Sequence, residues 1–272
     1  MIEIEKKMFV FIHDGLQITD CRFVKETQLL NKDFFNLTKM NVIITGASKG
    51  IGKAIAEAFA TEGASLFLCA RNKKILDETV AALQSNYPKS IIQSTIADLS
   101  KKEEAQAFGK WVLNKNVSID ILVNNAGNFL PGSIYNEEDD LLEKMIETNL
   151  YSAYHLTRII VPKMIEAKKG HIFNMASIAS LHAYKNGGSY SISKFALMGF
   201  SKNLREELKP YHIKVTTVYP GAVLTDSWGD FDNSNKRIME ASDVADIIVA
   251  ASKLSPQAVV EDIILRPQLG DL

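Results

Sequence analysis

"NVIITGASKGIG", residues 41–52, decides the fold. Its first five residues form an apolar, β-branched run, the pattern of a buried strand. Behind the quoted stretch, "KAIAEAFATEG" (53–63) is an alanine-rich helical pattern that closes on Gly63. Between strand and helix, Gly46, Gly50 and Gly52 stand in a G-x-x-x-G-x-G arrangement. The same mechanics underlie a dinucleotide-binding turn: one glycine for the tight bend, one for approach of the backbone to a pyrophosphate, one for close helix–strand packing. The N-terminus of the helix then offers N–H groups and partial positive charge to the anion. The spacing is not G-x-G-x-x-G, and Lys49 is followed by glycine, so a Walker loop is excluded. A plain glycine-rich turn is the competing reading.

The end of the second strand separates the two. A fold that binds an unphosphorylated ribose usually carries an acid there. Here "LCARN" puts Ala70 in that place, followed by Arg71. Alanine cannot bind a 2′-hydroxyl, whereas a guanidinium can grip a 2′-phosphate with two parallel bonds. Lys49 adds a second positive charge from the glycine loop. Together they point to NADP(H).

From residue 41 onward, strand runs alternate with helical stretches. After "NVIIT" come "SLFLCA" (65–70), "SIIQSTIA" (90–97), "IDILVNN" (119–125), "GHIFNMAS" (170–177), "IKVTTVYP" (213–220) and "AVVEDIILRP" (258–267). Helical patterns fill 73–86, 101–115, 137–168, 188–209 and 242–253. Apolar strands without polar alternation, separated by helices, predict an α/β doubly wound Rossmann fold: a seven-stranded parallel sheet flanked by helices on both faces. The crossovers are expected to be right-handed. Residues 1–39 stand outside this rhythm and 40–272 read as one catalytic domain. Either the first 39 residues are an extension that packs elsewhere, or Met40 is the true initiator.

The 272 residues are 46% hydrophobic, enough for a large core, and 31 basic against 32 acidic residues leave a formal net charge of -1. That balance offers no general attraction to nucleic acid or an anionic membrane. No apolar run approaches the roughly 20 residues that span a bilayer, and the N-terminal apolar run is too short for a secretory signal. Cys21 and Cys69 form no metal-like or disulfide pattern, so no metal is expected and a reducing cytoplasm fits.

In "YSISK", Tyr190 and Lys194 lie one helical turn apart. With "TGASKGIG", "ADLS", "NNAG" (124–127), "ETNL", "NMAS" and "YPGAVLTD" (219–226), they complete an ordered set over residues 41 to about 253 that resembles the classical short-chain dehydrogenases/reductases. The resemblance implies roles. Tyr190 would be the proton donor, Lys194 a ligand of the nicotinamide ribose, Ser177 the holder of the substrate carbonyl, and Asn149 the anchor of a water in a proton relay. Gly46, Ser48, Lys49, Gly50, Ile51 and Gly52 would line the pyrophosphate side, with Arg71 and Asn72 beside the 2′-phosphate. Asp98 would bond the adenine with Leu99 next to it, and Asn125, Ala126 and Gly127 would line the adenosine ribose. Pro220, Gly221, Val223 and Thr225 would contact the nicotinamide end.

The chemistry of these residue types agrees. Hydride transfer to a carbonyl builds negative charge on oxygen, which must receive a proton. Free tyrosine has a pKa near ~10. A nearby ammonium and the positive nicotinamide of the oxidised cofactor are expected to lower it, so that the phenol serves as acid in reduction and base in oxidation. Ser177 would donate to the developing alkoxide. Each residue also has a bland reading: Ser177 as a small strand-end residue, Asn149 as an exposed mid-helix polar position, Tyr190 as a core aromatic. His182 lies between Ser177 and Tyr190 and is expected to border the substrate.

The expected function is NADPH-dependent reduction of a small-molecule ketone or aldehyde to an alcohol. The alternatives are a 3-oxoacyl-[acyl-carrier-protein] reductase and a non-catalytic NADP(H)-binding sensor. The interval after "PGAVLTD", where the family carries its substrate lid, is short, with Trp228 and Phe231 as apolar contacts. The chain ends "VVEDIILRPQLGDL" in place of a glycine-rich segment. Both features count against the acyl-carrier reading, and the second also against a tetramer built through that terminus. A homodimer or homotetramer is expected by resemblance, with a dimer formed through the helices that carry Asn149 and Tyr190.

Overall fold

The computed structural model describes residues 39–271. Apart from Lys39, the segment 1–39 lies outside the described residues. Strands β1 (Asn41–Thr45), β2 (Ser65–Ala70), β3 (Ile91–Ile96), β4 (Ile121–Asn124), β5 (Gly170–Met175), β6 (Ile213–Pro220) and β7 (Asp262–Leu265) make one sheet in the order β3-β2-β1-β4-β5-β6-β7. Every pairing is parallel. The helices are α1 (Gly50–Thr61), α2 (Lys73–Asn86), α3 (Lys102–Leu113), α4 (Leu141–Ile146), α5 (Ser152–Ala167), α6 (Gly188–Leu208) and α7 (Ala241–Ser252). The seven-stranded doubly wound sheet expected from the strand–helix alternation is therefore present.

Alternation within the strands sorts the core into two layers. Val42 and Ile44 of β1 and Leu66 and Leu68 of β2 face Ile55 and Phe59 of α1, Leu76 of α2 and Ile248 of α7. Ile43 and Phe67, pointing the other way, meet Phe108 of α3, Leu156 and Ile160 of α5, and Leu204 of α6. Successive side chains of a strand point to opposite faces, so a strand covered on both sides is apolar at most positions, and its buried polar residues, such as Asn124 and Asn174, are hydrogen-bonded. That is why these runs lack polar alternation.

Where strand order reverses, β1 and β4 are neighbours whose following loops leave in opposite directions. The crevice at such a switch point is where doubly wound folds bind ligands. Buried amides tie the sheet to the helices on the site's side. Asn124 Nδ2 donates to Thr157 Oγ1 at 3.0 Å and to Asn174 Oδ1 at 2.8 Å, and Asn174 Nδ2 donates to Ser201 Oγ at 3.0 Å. The first asparagines of "NNAG" and "NMAS" thus moor α5 and α6 to the strands β4 and β5.

One expected element differs. The stretch 137–168 is not a single helix: α4 and α5 are joined by a π-helical turn, Glu147–Tyr151, with Asn149 at its centre. The extra residue in the turn goes with an inward, 1% exposed asparagine bonded to two other segments. Such bulges are frequent at functional sites.

Candidate active site

The glycine loop is built as a cradle. Gly46 and Gly50 have φ of 64° and 54°, a region L side chains rarely adopt. A Cβ on Gly52 would sit 2.3 Å from the Gly46 carbonyl oxygen and 2.4 Å from Asn125 Nδ2. Lys49, at the N-cap of α1, makes no side-chain capping bond, and the first turn holds no acid. The first N–H groups of α1 have no intrahelical partner. An uncapped, acid-free helix start behind three glycines fits a pyrophosphate.

The neighbouring residues hold this cradle in shape. Thr45 Oγ1 accepts from the backbone N–H groups of Asn125 and Ala126 at 2.9 and 2.8 Å. Asn125 Nδ2 donates back to the Thr45 carbonyl at 2.8 Å. The Ser48 carbonyl accepts from Thr79 Oγ1 at 2.8 Å, and Asn72 Oδ1 caps α2 by accepting from Ile75 N at 3.1 Å. Asp98 Oδ1 accepts from Ser100 Oγ at 2.8 Å, with Leu99 buried beside it. Asn125, Asn72 and Asp98 thus each spend a polar atom within the fold.

Arg71 is exposed at the end of β2 and makes no ion pair with another described residue. Lys49 instead pairs with Asp226 at 2.9 Å, with more than half of each side chain exposed. Asp226 belongs to the interval after β6, whose base is pinned where Leu224 N donates to the Met239 carbonyl at 2.7 Å. Above Gly50 lies Thr225, whose Cγ2 would be 3.2 Å from an added Cβ. Val223 faces inward, in the layer with Ile55 and Ile248. Gly221 backs onto the C-terminal segment, where an added Cβ would meet Asp271 Oδ1 at 2.3 Å. Trp228 and Phe231 pack on each other with centroids 5.2 Å apart.

Asn149 and Lys194 meet at Gly127, with Tyr190 one turn before Lys194 on α6 and Ser177 near its phenol. Ser177 caps the short helical turn after β5, its hydroxyl accepting from Ala179 N at 3.2 Å, and lies close enough to the Tyr190 phenol to draw its pKa down. Lys194, one turn along α6, lies with Nζ 5.8 Å from the Tyr190 ring centroid and donates to the Met175 carbonyl at 2.8 Å. A Cβ on Gly127 would lie 3.1 Å from Asn149 Oδ1 and 3.5 Å from Lys194 Nζ. Asn149 Oδ1 accepts from Asn128 N at 2.7 Å, while Nδ2 donates to the Asn128 carbonyl at 3.0 Å and to Ser193 Oγ at 2.9 Å. Asn149 is therefore a buried clamp, neither exposed nor simply helical.

The electrostatics correct one expectation. Burial pushes the Tyr190 phenol up to about 12, against the opposing pull of the Ser177 hydrogen bond. Burial also pushes Lys194 down to about 8. Lowering of the phenol by Lys194 is thus not a property of the chain alone. Both groups lose hydration, and the ammonium is aimed at a carbonyl rather than at the phenol oxygen.

Several participants carry no motif signal. Asn128 and Met175 act through backbone atoms, which motif reading does not see. Ser193, inside "YSISK", donates to the Tyr190 carbonyl at 2.7 Å and accepts from Asn149. The Phe129 ring meets Tyr190 edge to face at 4.8 Å. His182 is exposed.

Comparison with known proteins shows the family. The family model of the short chain dehydrogenases matches residues 40–236, and the chain belongs to that family. An uncharacterized oxidoreductase of Staphylococcus saprophyticus is 32% identical over 225 residues, covering 83% of this chain and 96% of that protein. A metagenomic short-chain oxidoreductase solved in complex with NADP is 30% identical, with a TM-score of 0.74, over 84% of this chain and 97% of that one. L-sorbose reductase from Gluconobacter frateurii, solved with NADPH and L-sorbose, is 27% identical with a TM-score of 0.77, over 84% and 95% of the two chains.

Proposed function

We propose that the chain is an NADPH-dependent reductase that converts a ketone or aldehyde to an alcohol, with Tyr190 as general acid/base. The observation that carries this reading is the chain of neighbours Ser177–Tyr190–Lys194–Asn149, the last two meeting at Gly127. Relatives solved with NADP or NADPH support the cofactor.

The glycine loop and the start of α1 would hold the pyrophosphate, with Arg71 and Lys49 at the 2′-phosphate, Asp98 and Leu99 at the adenine, and Thr225 at the nicotinamide end. When bound, the cofactor supplies the hydride. Ser177 Oγ donates to the substrate carbonyl and stabilises the charge that develops on its oxygen. Tyr190 delivers the proton from its phenol to that oxygen. The Lys194 ammonium stabilises the phenolate left behind, and Asn149 keeps the β4 loop and α6 in register while this happens.

An NADPH-oxidation screen across small ketones, diketones, quinones and 3-oxoacyl thioesters tests the reading. Turnover by the native protein with a loss of roughly 10²- to 10⁴-fold in Tyr190→Phe is the expected result. Tight NADPH binding without turnover of any carbonyl would support a sensor instead, and turnover confined to acyl thioesters would support the acyl-carrier reading.

For assembly we favour a homodimer through α5 and α6. Tyr151, Tyr154, Ile192 and Phe195 are exposed on this side, and Tyr154 meets Phe200 across the two helices at 5.8 Å. An apolar patch of this kind is a surface for association. The catalytic domain is assigned to 40–272, with 1–39 as an extension, because the family match begins at residue 40. The buried free thiol of Cys69 suits a reducing cytoplasm.

A further inference from the structure

We propose that Glu137 is a positioning residue for Tyr190, holding the first turn of α6 from the segment that follows β4. The proposal rests on the reductase reading above. Three observations carry it.

The first is the capping contact. Ser189, the residue before Tyr190, is 1% exposed and gives both its donors to one carboxylate. Its hydroxyl bonds Glu137 Oε1 and its N–H bonds Oε2, the latter at 3.2 Å. The N-cap residue of α6, Gly187, makes no side-chain capping bond, and the first turn contains no acid. The charge that complements this helix end therefore comes from another segment. A carboxylate is suited to that place, because it meets both orphan donors and the positive end of the helix dipole.

The second is the space around the carboxylate. A Cβ on Gly132 would lie 2.8 Å from Glu137 Oε2. A Cβ on Gly188 would lie 2.5 Å from the same atom and 2.4 Å from the Gly132 carbonyl oxygen. Gly188 also has φ of 39°. Two segments have given up side chains where the carboxylate sits.

The third is what the segment connects. At one end Asn128 exchanges two hydrogen bonds with Asn149. Further on, Gly132 N donates to the Asn186 carbonyl at 3.1 Å and Ser133 Oγ to Asn186 Oδ1 at 2.8 Å. Glu137 closes the far end on Ser189. Asn149 and the helix turn that carries Tyr190 are thereby referenced to each other through residues 128–137. A misplacement of about 1 Å can cost roughly 10²-fold in rate.

The test compares wild type, Glu137→Gln and Glu137→Ala in carbonyl reduction and in NADPH binding followed by cofactor fluorescence. The expected result is a kcat lowered roughly 10- to 100-fold in the alanine variant. The glutamine variant, which keeps the length and one acceptor, should lose only about threefold. Carbonyl KM and NADPH Kd should stay near wild type in both. A wild-type kcat in Glu137→Ala overturns the proposal. So does a joint loss of kcat, KM and cofactor affinity that glutamine does not rescue, which would mark a loosened fold. Should the alanine variant fail to fold, Glu137→Gln decides alone: lowered kcat at unchanged KM supports the role, and unchanged kcat overturns it. A wild type inert to every carbonyl brings down the reductase reading itself, and the positioning role with it.

Discussion

Lys194 crosses from α6 to donate its ammonium to the Met175 carbonyl at 2.8 Å, leaving Nζ 5.8 Å from the centroid of the Tyr190 ring. The lysine is moored to the sheet, and burial holds its pKa at about 8.

This depressed value has a consequence for stability. Below about pH 8 the folded protein keeps a buried ammonium that the unfolded chain, with a lysine pKa of roughly 10.4, hydrates freely. Between these values the unfolded state binds more protons, so the penalty is relieved as pH rises. Urea unfolding at pH 7.5 and 9.5 should show wild type gaining on Lys194→Met by roughly 2 kcal/mol. The same substitution should abolish carbonyl turnover. An identical pH dependence in both proteins would contradict the depressed lysine.

The ion pair between Lys49 and Asp226 competes with the phosphate that we assign to Lys49. Asp226→Asn should tighten NADPH by about threefold and leave NADH unchanged. The melting temperature should scarcely move, because exposed pairs contribute ~0–1 kcal/mol. Arg71→Ala should weaken NADPH far more than NADH. Titrations with both cofactors decide, and equal effects on the two would defeat the 2′-phosphate assignment.

Gly52→Ala should damage the cradle rather than the helix. Its methyl would fall 2.3 Å from a backbone carbonyl and 2.4 Å from the Asn125 amide, neither of which is the end of a long flexible chain. A cost of roughly 1–3 kcal/mol follows from such overpacking, together with a loss of NADPH affinity. Thermal unfolding and cofactor fluorescence read the two effects separately. Undisturbed binding would mean that the loop has room the geometry denies.

His171 is a buried neutral imidazole. Thr216 Oγ1 donates to the Val260 carbonyl at 2.6 Å, so its lone pair accepts from His171 Nε2–H at 2.7 Å. Nδ1 has no hydrogen-bond partner among the described residues. Burial pushes the imidazole down to about 3 from an ordinary 6.5. The unfolded chain then binds more protons between these values. The stabilising contribution is full above pH 6.5 and is lost as pH falls toward 3. His171→Phe should flatten this acid limb in urea midpoints measured from pH 7 to 4, with wild type losing on the order of 3 kcal/mol more than the variant.

Much of this molecule was legible in residue order. The seven strands and most of the helices between them follow from the pattern of residues, because a strand covered on both faces has few positions for a polar side chain. The glycine spacing, Ala70 and Arg71, and the ordered residues Asn149, Ser177, Tyr190 and Lys194 were readable as a cofactor turn and a proton-transfer group. The structure adds partners that the sequence does not show. Asn149 lies in a π-helical turn, since its amide must reach Asn128 and Ser193 at once. Lys49 belongs in part to Asp226, Val223 to the core, and Asn125 to the support of the glycine loop.

The sequence by itself determined the chain's class and the chemical types at its centre, because periodicity and spacing are local properties that survive without coordinates. Only the tertiary structure decided which atoms those groups spend on one another. Burial set the Tyr190 and Lys194 protonation equilibria, the Met175 carbonyl set the direction of the ammonium, and Glu137 reached Ser189 from 52 residues away. Desolvation and backbone hydrogen bonding depend on what packs around a group. No motif records them, since the partners come from segments far apart in the chain.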